Sequence, residues 1–286
     1  MTKVASFELT AGRPQRFLVG LVRADNERLV GFGTVQLDFA FTGTRERPLA
    51  SRRPGPSATA SFLPIPGTTT DPSEPGPRFV EASTATGVYS ADPVTFSDPG
   101  FWQVRVTADL DGRDYRAEGR FEVLAKSEVP AVGDPAPRTS NPLAGQAGVN
   151  PRSIDSRADA TTPVPDPELH STTVAQALDA RRPVVVVVST PTFCQSRFCG
   201  PITDAVSALA RRYGDRMAFV HLEVWRDYEK RELNPSAQEW IDADRDNDGN
   251  EPWTFVVGSD GLVKHRFDNV AGDGELEAAV RQVLGL

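Results

Sequence analysis

The stretch Val184-Val-Val-Val-Val-Ser-Thr-Pro-Thr-Phe-Cys-Gln-Ser-Arg-Phe-Cys-Gly-Pro201 decides the fold of the second half of the chain. Its five consecutive valines predict a strand that is buried on both faces of a sheet. The following loop carries the chain's two cysteines, Cys194 and Cys199. Proline favours the first position of a helix, so a helix is expected to begin at Pro201, with Gly200 near its N-cap and both cysteines in the loop.

Outward from this stretch, the hydrophobic period predicts an alternation of helices and strands. A helix begins near His170, with Ser171 or Thr172 as its N-cap. Apolar residues at helical spacing follow Pro201 as far as Tyr213. Further strands are expected at 217–224, 253–257 and 262–267, with helices at 238–241 and 275–284. The predicted order is α-β-α-β-α-β-β-α.

This order, with cysteines directly after the first buried strand, resembles the thioredoxin fold over residues 169–286. The resemblance implies thiol–disulfide chemistry, with Cys194 and Cys199 forming a disulfide. It also implies that Cys194, preceded by the aromatic Phe193, is the attacking cysteine and that Cys199 resolves the mixed disulfide. In the family a cis-proline opens the third strand beside the disulfide, and Pro252 occupies that place.

The resemblance therefore implies a site with three catalytic residues, Cys194, Cys199 and Pro252. The substrate, a protein thiol or disulfide or a redox partner protein, would contact three neighbouring residues: Phe193, Glu251 and Trp253. No cofactor is expected for this chemistry.

The cysteine spacing departs from the family's C-x-x-C motif, because four residues separate Cys194 from Cys199. In a helix, residues i and i+3 have Cα atoms about 5 Å apart, but residues i and i+5 are about 8.7 Å apart, beyond the disulfide range. Both cysteines therefore cannot be helical and bonded. A competing alignment takes Phe198-Cys-Gly-Pro201 as the motif, with Ile202 in place of the second cysteine.

The family also carries a buried carboxylate in the strand before the motif, where this chain has Val187 and Val188. Glu251 is the one candidate base for the resolving thiol. The helix N-terminus and Arg197 favour thiolate over thiol at this place. Whether the chain is a thiol–disulfide oxidoreductase or a non-catalytic binding module with a structural disulfide stays open at the sequence level.

Two patterns in the sequence partly match known metal sites, but no metal site is expected. Asp244-Arg-Asp-Asn-Asp-Gly249 matches the first half of a calcium-binding loop, but position 12 is Phe255, so a plain acidic loop is favoured. A copper chaperone of the Sco type shares the fold and uses two cysteines and a distant histidine. His221 and His265 are the candidates for that histidine.

The first 126 residues predict an all-β domain. Short runs with alternating apolar residues, separated by turns such as Asp111-Gly112, are typical of an immunoglobulin-like β-sandwich. Within it, the proline-rich stretch 48–77 is expected to be a long surface excursion. Residues 127–168 are polar and proline-rich and predict a linker to the thioredoxin-like domain, 169–286.

The composition also limits the classes of function that the chain can have. The chain has 286 residues and a net charge of −8, which argues against nucleic-acid binding. No apolar run is long enough to span a membrane. The N-terminus shows no secretory signal. A modular redox protein with a disulfide nevertheless fits the bacterial cell envelope, with the cytoplasm as the alternative.

Overall fold

The computed structural model describes residues 1–23, 28–68, 76–81, 87–194, 196–241 and 250–286. Within them the chain divides into two compact units, Met1–Ser127 and Glu128–Leu286. The acidic loop 244–249 considered for calcium lies outside the described residues. None of the described helices has the length and apolar character needed to cross a bilayer.

The first unit is built from antiparallel strands. They are β1 (Thr2–Val4), β2 (Pro14–Val22), β3 (Arg28–Gly31), β4 (Thr34–Gly43), β5 (Pro48–Pro64), β6 (Arg78–Glu81), β7 (Gly87–Thr95), β8 (Gly100–Leu110) and β9 (Arg113–Val123). Hydrogen bonds join them into one sheet of order β6-β3-β2-β7-β5-β4-β8-β9, and β1 pairs with β2. A sandwich would have two separate sheets, whereas these strands form one continuous sheet. The immunoglobulin-like sandwich is therefore not confirmed and stays a prediction.

Alternating side chains build the core of this unit. In β4, Val35, Leu37 and Phe39 are buried while the residues between them are exposed or half-buried. Phe39 meets Phe17 edge-on, with ring centroids 4.8 Å apart, and meets Phe96 at 5.2 Å. Edge-to-face aromatic pairs of this kind add about 0.5–1.5 kcal/mol to the burial of their surface.

The excursion predicted for 48–77 is wrong over residues 48–64, which form β5. Pro54 and Pro56 lie where the β4–β5 register shifts: Asp38 pairs with Ser57, whereas Ala40 pairs with Pro54. The extra residue of this bulge interrupts the ladder, so a missing proline N–H costs no hydrogen bond there. Gly55 lies in the bulge, where a Cβ atom would come within 2.5 Å of the Trp102 ring.

The second unit has a four-stranded sheet of order β11-β10-β14-β15. Its elements are α1 (Val174–Asp179), β10 (Val184–Ser189), α2 (Cys199–Tyr213), β11 (Ala218–Glu223), β12 (Trp225–Asp227), β13 (Glu232–Leu233), α3 (Pro235–Gln238), β14 (Trp253–Val257), β15 (Val263–Asp268) and α4 (Asp273–Leu284). Strands β10 and β11 are parallel, and β14 and β15 run antiparallel to their neighbours. The short hairpin β12–β13 is an addition to the predicted order.

The valine run is the centre of this sheet, as its composition predicts. All of β10 is buried, and Val185 and Val187 belong to a core that also contains residues of α2 and α4, such as Ile202 and Leu276. The N-cap of α1 is Thr173, one residue after the two predicted candidates, and it forms a capping box with Gln176.

The segment predicted as a linker, 127–168, lies in the second unit from residue 128 onward. Backbone hydrogen bonds anchor it at several places, among them Ala136 N to Gly261 O at 2.9 Å. The side-chain amide of Asn234 donates to Ser153 O at 2.9 Å, and Ile154 is 3% exposed. The polar composition of the segment does not indicate this packing. The segment has little apolar surface of its own and packs against the apolar surface of the sheet instead.

Candidate functional site

The two cysteines form a disulfide directly after β10. Their Cα atoms are 6.0 Å apart. Helix α2 begins at Cys199, with Phe198 as its N-cap, rather than at Pro201 as predicted. Only Cys199 is therefore helical, while Cys194 lies in the loop. This explains how residues five apart in sequence come within bonding range.

The two sulfurs differ in exposure and in partners. Cys199 is 0% exposed, whereas Cys194 is half-buried. The backbone N–H of Cys199 donates to Cys194 Sγ at 3.3 Å, and the Ser196 hydroxyl lies 3.3 Å from the same sulfur. A disulfide sulfur carries no hydrogen, so the hydroxyl is the donor. Two donors and the N-terminus of a 15-residue helix thus surround the more exposed sulfur.

Glu251 lies near the disulfide, and Pro252 follows it in the chain. One oxygen of Glu251 and both sulfurs lie within 4.8 Å of one another. The Glu251–Pro252 peptide bond is cis, which confirms the prediction. Pro252 has no N–H, and its carbonyl accepts a hydrogen bond from Asn269 N at 2.8 Å. Its backbone groups are therefore already committed to the protein.

An aromatic stack supports the cysteine loop from the side of β12 and β13. The rings of Phe193 and Tyr228 are parallel, with centroids 3.9 Å apart. The Arg152 guanidinium lies 5.4 Å from the Phe193 centroid, within cation–π range. Phe193 remains half-buried, so part of its side chain is accessible next to Cys194.

Trp253 and Arg197 differ in exposure. Trp253 is 2% exposed and stacks on Phe255, with centroids 5.6 Å apart. Its position in the core does not support the predicted contact with a substrate. Arg197 is exposed in the turn between the cysteines, with a φ of 66°.

The structure does not bring the histidines of the copper interpretation to the cysteines. Among the described residues, the ligand-type group that meets both sulfurs is Glu251. His221 belongs instead to a separate buried cluster with Asp155 and His170. His265 lines a surface crevice beside Asp260 and Lys264.

Sequence reasoning also missed a buried carboxylate, Glu223, at the end of β11. It is paired in register with Ser189 of β10. Its carboxylate accepts hydrogen bonds from the backbone N–H of Ser156 at 2.8 Å and of Trp225 at 3.2 Å. Burial raises the pKa of Glu223, while the neighbouring His221 acts in the opposite direction. The available signal was a charged residue ending a strand that is otherwise apolar apart from His221.

No protein-family model matches this chain, and no curated protein sequence does either. Among solved structures, the chain is similar to a thioredoxin-family thiol:disulfide interchange protein from Chlorobium tepidum TLS. The identity is 14%, the match covers 54% of this chain and all of the other, and the TM-score is 0.31. A TM-score this low does not by itself establish a common fold.

Proposed function

We propose that this protein carries out thiol–disulfide exchange on protein substrates through the pair Cys194 and Cys199. The observation that carries the proposal is the asymmetry of the two sulfurs. Cys194 is accessible and has two hydrogen-bond donors, whereas Cys199 is buried at the start of α2. An attacking thiolate needs access and stabilisation, and a resolving thiol needs only to reach its partner.

In the reductive direction the exchange has two steps. The Cys194 thiolate attacks a substrate disulfide, so that a mixed disulfide forms and one substrate thiolate leaves. The Cys199 thiolate then attacks Cys194 Sγ, the second substrate thiolate leaves, and the intramolecular disulfide is restored. Two electrons pass to the substrate, and a dithiol partner must supply them again; the oxidative direction reverses these steps.

Glu251 has the position of a proton acceptor in this cycle. One oxygen of its carboxylate lies within 4.8 Å of both sulfurs, and Cys199 must lose a proton before it can resolve the mixed disulfide. We assign this role to Glu251 and the contact with substrate to the accessible part of Phe193. Because disulfides persist in oxidising compartments, we also propose the bacterial cell envelope as the place of action.

The test compares the wild type with Cys194→Ser and Cys199→Ser. Insulin reduction with dithiothreitol should be accelerated by the wild type, while Cys194→Ser should fall to the uncatalysed rate. Cys199→Ser should accumulate a mixed disulfide with substrate through Cys194, visible on a non-reducing gel. This asymmetry distinguishes the assigned roles from the competing alignment, in which Cys199 attacks.

A redox titration with thiol trapping decides between exchange and a structural bridge. Exchange requires a midpoint within reach of cellular dithiols. A midpoint below about −300 mV, together with equal insulin reduction by wild type and Cys194→Ser, would show a structural disulfide instead.

A further inference from the structure

A second polar cluster lies in the core of the same unit and takes no part in the proposed exchange. It consists of Asp155, His170 and His221. Asp155 lies in the segment before α1, His170 lies four residues before the start of α1, and His221 lies in β11. All three side chains are 0% exposed. One ligand-type atom from each lies within 4.8 Å of the other two.

The distances in this cluster are too long for charge-assisted hydrogen bonds. Asp155 Oδ2 lies 3.5 Å from His170 Nε2 and 3.4 Å from His221 Nδ1. Hydrogen bonds between an imidazolium and a carboxylate are usually about 2.7–2.9 Å long. Neither of these ring nitrogens has a hydrogen-bond partner within the described part of the chain. Unpaired polar atoms in a dry core are costly, so something else must satisfy them.

The same distances suit ligands of one tetrahedral metal ion. With bonds of about 2.0–2.1 Å, the ligand atoms around a tetrahedral ion lie about 3.4 Å apart. An octahedral ion with the same bond length, such as Mg²⁺, would hold adjacent ligands about 2.9 Å apart. Two imidazoles and one carboxylate are also a donor set that Zn²⁺ accepts.

The tautomer of His221 leads to the same conclusion. Its Nε2 lies 3.2 Å from the carbonyl oxygen of Ser189, which can only accept, so Nε2 carries the hydrogen. In the neutral ring Nδ1 then presents a lone pair, and this lone pair faces the Asp155 oxygen. A cation between two acceptors removes the conflict. Metal-binding histidines generally donate their other N–H to a carbonyl or carboxylate, as His221 does here.

Asp155 is held in place for such a role by Arg157. The Arg157 Nε donates to Oδ1 at 3.0 Å, and Nη2 donates to Oδ2 at 2.7 Å. An ionised carboxylate offers about four acceptor positions, so Oδ2 can still bind an ion. Arg157 also donates hydrogen bonds to Asp166 and Asp204. The backbone N–H of Ser156, the residue after Asp155, donates to buried Glu223 at 2.8 Å.

We propose that Asp155, His170 and His221 form a tetrahedral zinc site, with the fourth position taken by water. The site binds the segment before α1 to the sheet, so its expected role is to stabilise the unit. It is independent of the cysteine pair, whose sulfurs are bonded to each other.

The test uses the full chain with its disulfide intact. The protein is purified from zinc-supplemented medium, and a second sample is unfolded in chelator and refolded with Zn²⁺ or Co²⁺ alone. Metal content is then measured after desalting. We expect one ion per chain in the wild type and in the matched control His265→Gln. His170→Gln and His221→Gln should bind more than about 100-fold more weakly, since loss of even an outer partner costs about 10- to 100-fold.

A measurement on the wild type alone covers the case in which these variants do not fold. X-ray absorption should show only nitrogen and oxygen ligands at about 2.0–2.1 Å, without sulfur at about 2.3 Å, and Co²⁺ should give a tetrahedral absorption spectrum. A wild type without bound metal in both preparations would overturn the proposal and indicate a protonated His221 beside Asp155. Sulfur ligands, or loss of binding in His265→Gln, would overturn it as well.

Discussion

The pKa of His265 is changed by burial alone. It lies half-buried on β15, with its ring stacked on Phe267 at a centroid distance of 6.4 Å. Burial is the cause that lowers the pKa of His265. Because the folded state binds this proton less well than the unfolded state, the contribution to stability is fully present above about pH 6.5 and is lost as the pH falls toward the folded pKa.

The resulting prediction concerns acid sensitivity. Between about pH 7 and pH 5 the wild type should lose slightly more stability than His265→Gln, because only the histidine takes up a proton more readily in the unfolded state. Urea midpoints of both proteins at each pH measure the difference. Equal losses in the two proteins would contradict the assignment, since all other titrating groups are shared.

Individual site residues could be predicted from the sequence where they belong to a short local motif. The two cysteines and the cis bond before Pro252 were found from a short motif and its family resemblance. The cluster of Asp155, His170 and His221 could not be found that way, because its members are 15 and 51 residues apart and only the packing of the segment brings them together.

At the scale of elements, the hairpin β12–β13 braces the cysteine loop through the stack of Phe193 on Tyr228. This contact is expected to limit the opening of the loop around Cys194. Replacing Tyr228 by alanine removes the ring, whereas phenylalanine keeps it.

Tyr228→Ala should therefore speed reduction of the disulfide by dithiothreitol several-fold and lower the free energy of unfolding by about 1–2 kcal/mol. Tyr228→Phe should behave like the wild type in both measurements. The interpretation fails if the alanine and phenylalanine variants are reduced at the same rate.

The strands and helices differ in how well their sequences predict them. The alternation in β4 and the valine run of β10 specify their strands directly, because side-chain burial follows the period of the strand. Strand β5 was missed because its prolines and glycine argue for a loop unless the bulge that accommodates them is known. The start of α2 was misplaced by two residues because Cys199 enters the helix ahead of Pro201.

At the scale of the whole molecule, the second unit depends on residues that composition assigns to a linker. Segment 128–168 supplies the buried side chain of Ile154 and the Ser156 N–H that binds Glu223. The polar composition of this segment predicts that it has no core of its own. It does not predict that the backbone donors and few apolar side chains of the segment complete a neighbouring sheet.

A fragment of residues 128–286 should accordingly fold, whereas 169–286 should be less stable by at least about 3 kcal/mol. The loss combines the exposure of apolar surface around Ile154 with the loss of the Ser156 N–H, one of the two backbone donors to the buried Glu223 carboxylate. Circular dichroism during urea unfolding compares the two fragments. Coincident transitions would show that the segment is dispensable.

The hydrogen bond from Ser156 to Glu223 also has a consequence for synthesis on the ribosome. Its partners are 67 residues apart, with the donor made first. At about 5–20 residues per second, the segment waits about 3–13 s before its binding surface has been translated. During that interval residues 128–168 are accessible to proteases and chaperones. Their low apolar content limits aggregation of the segment before it packs.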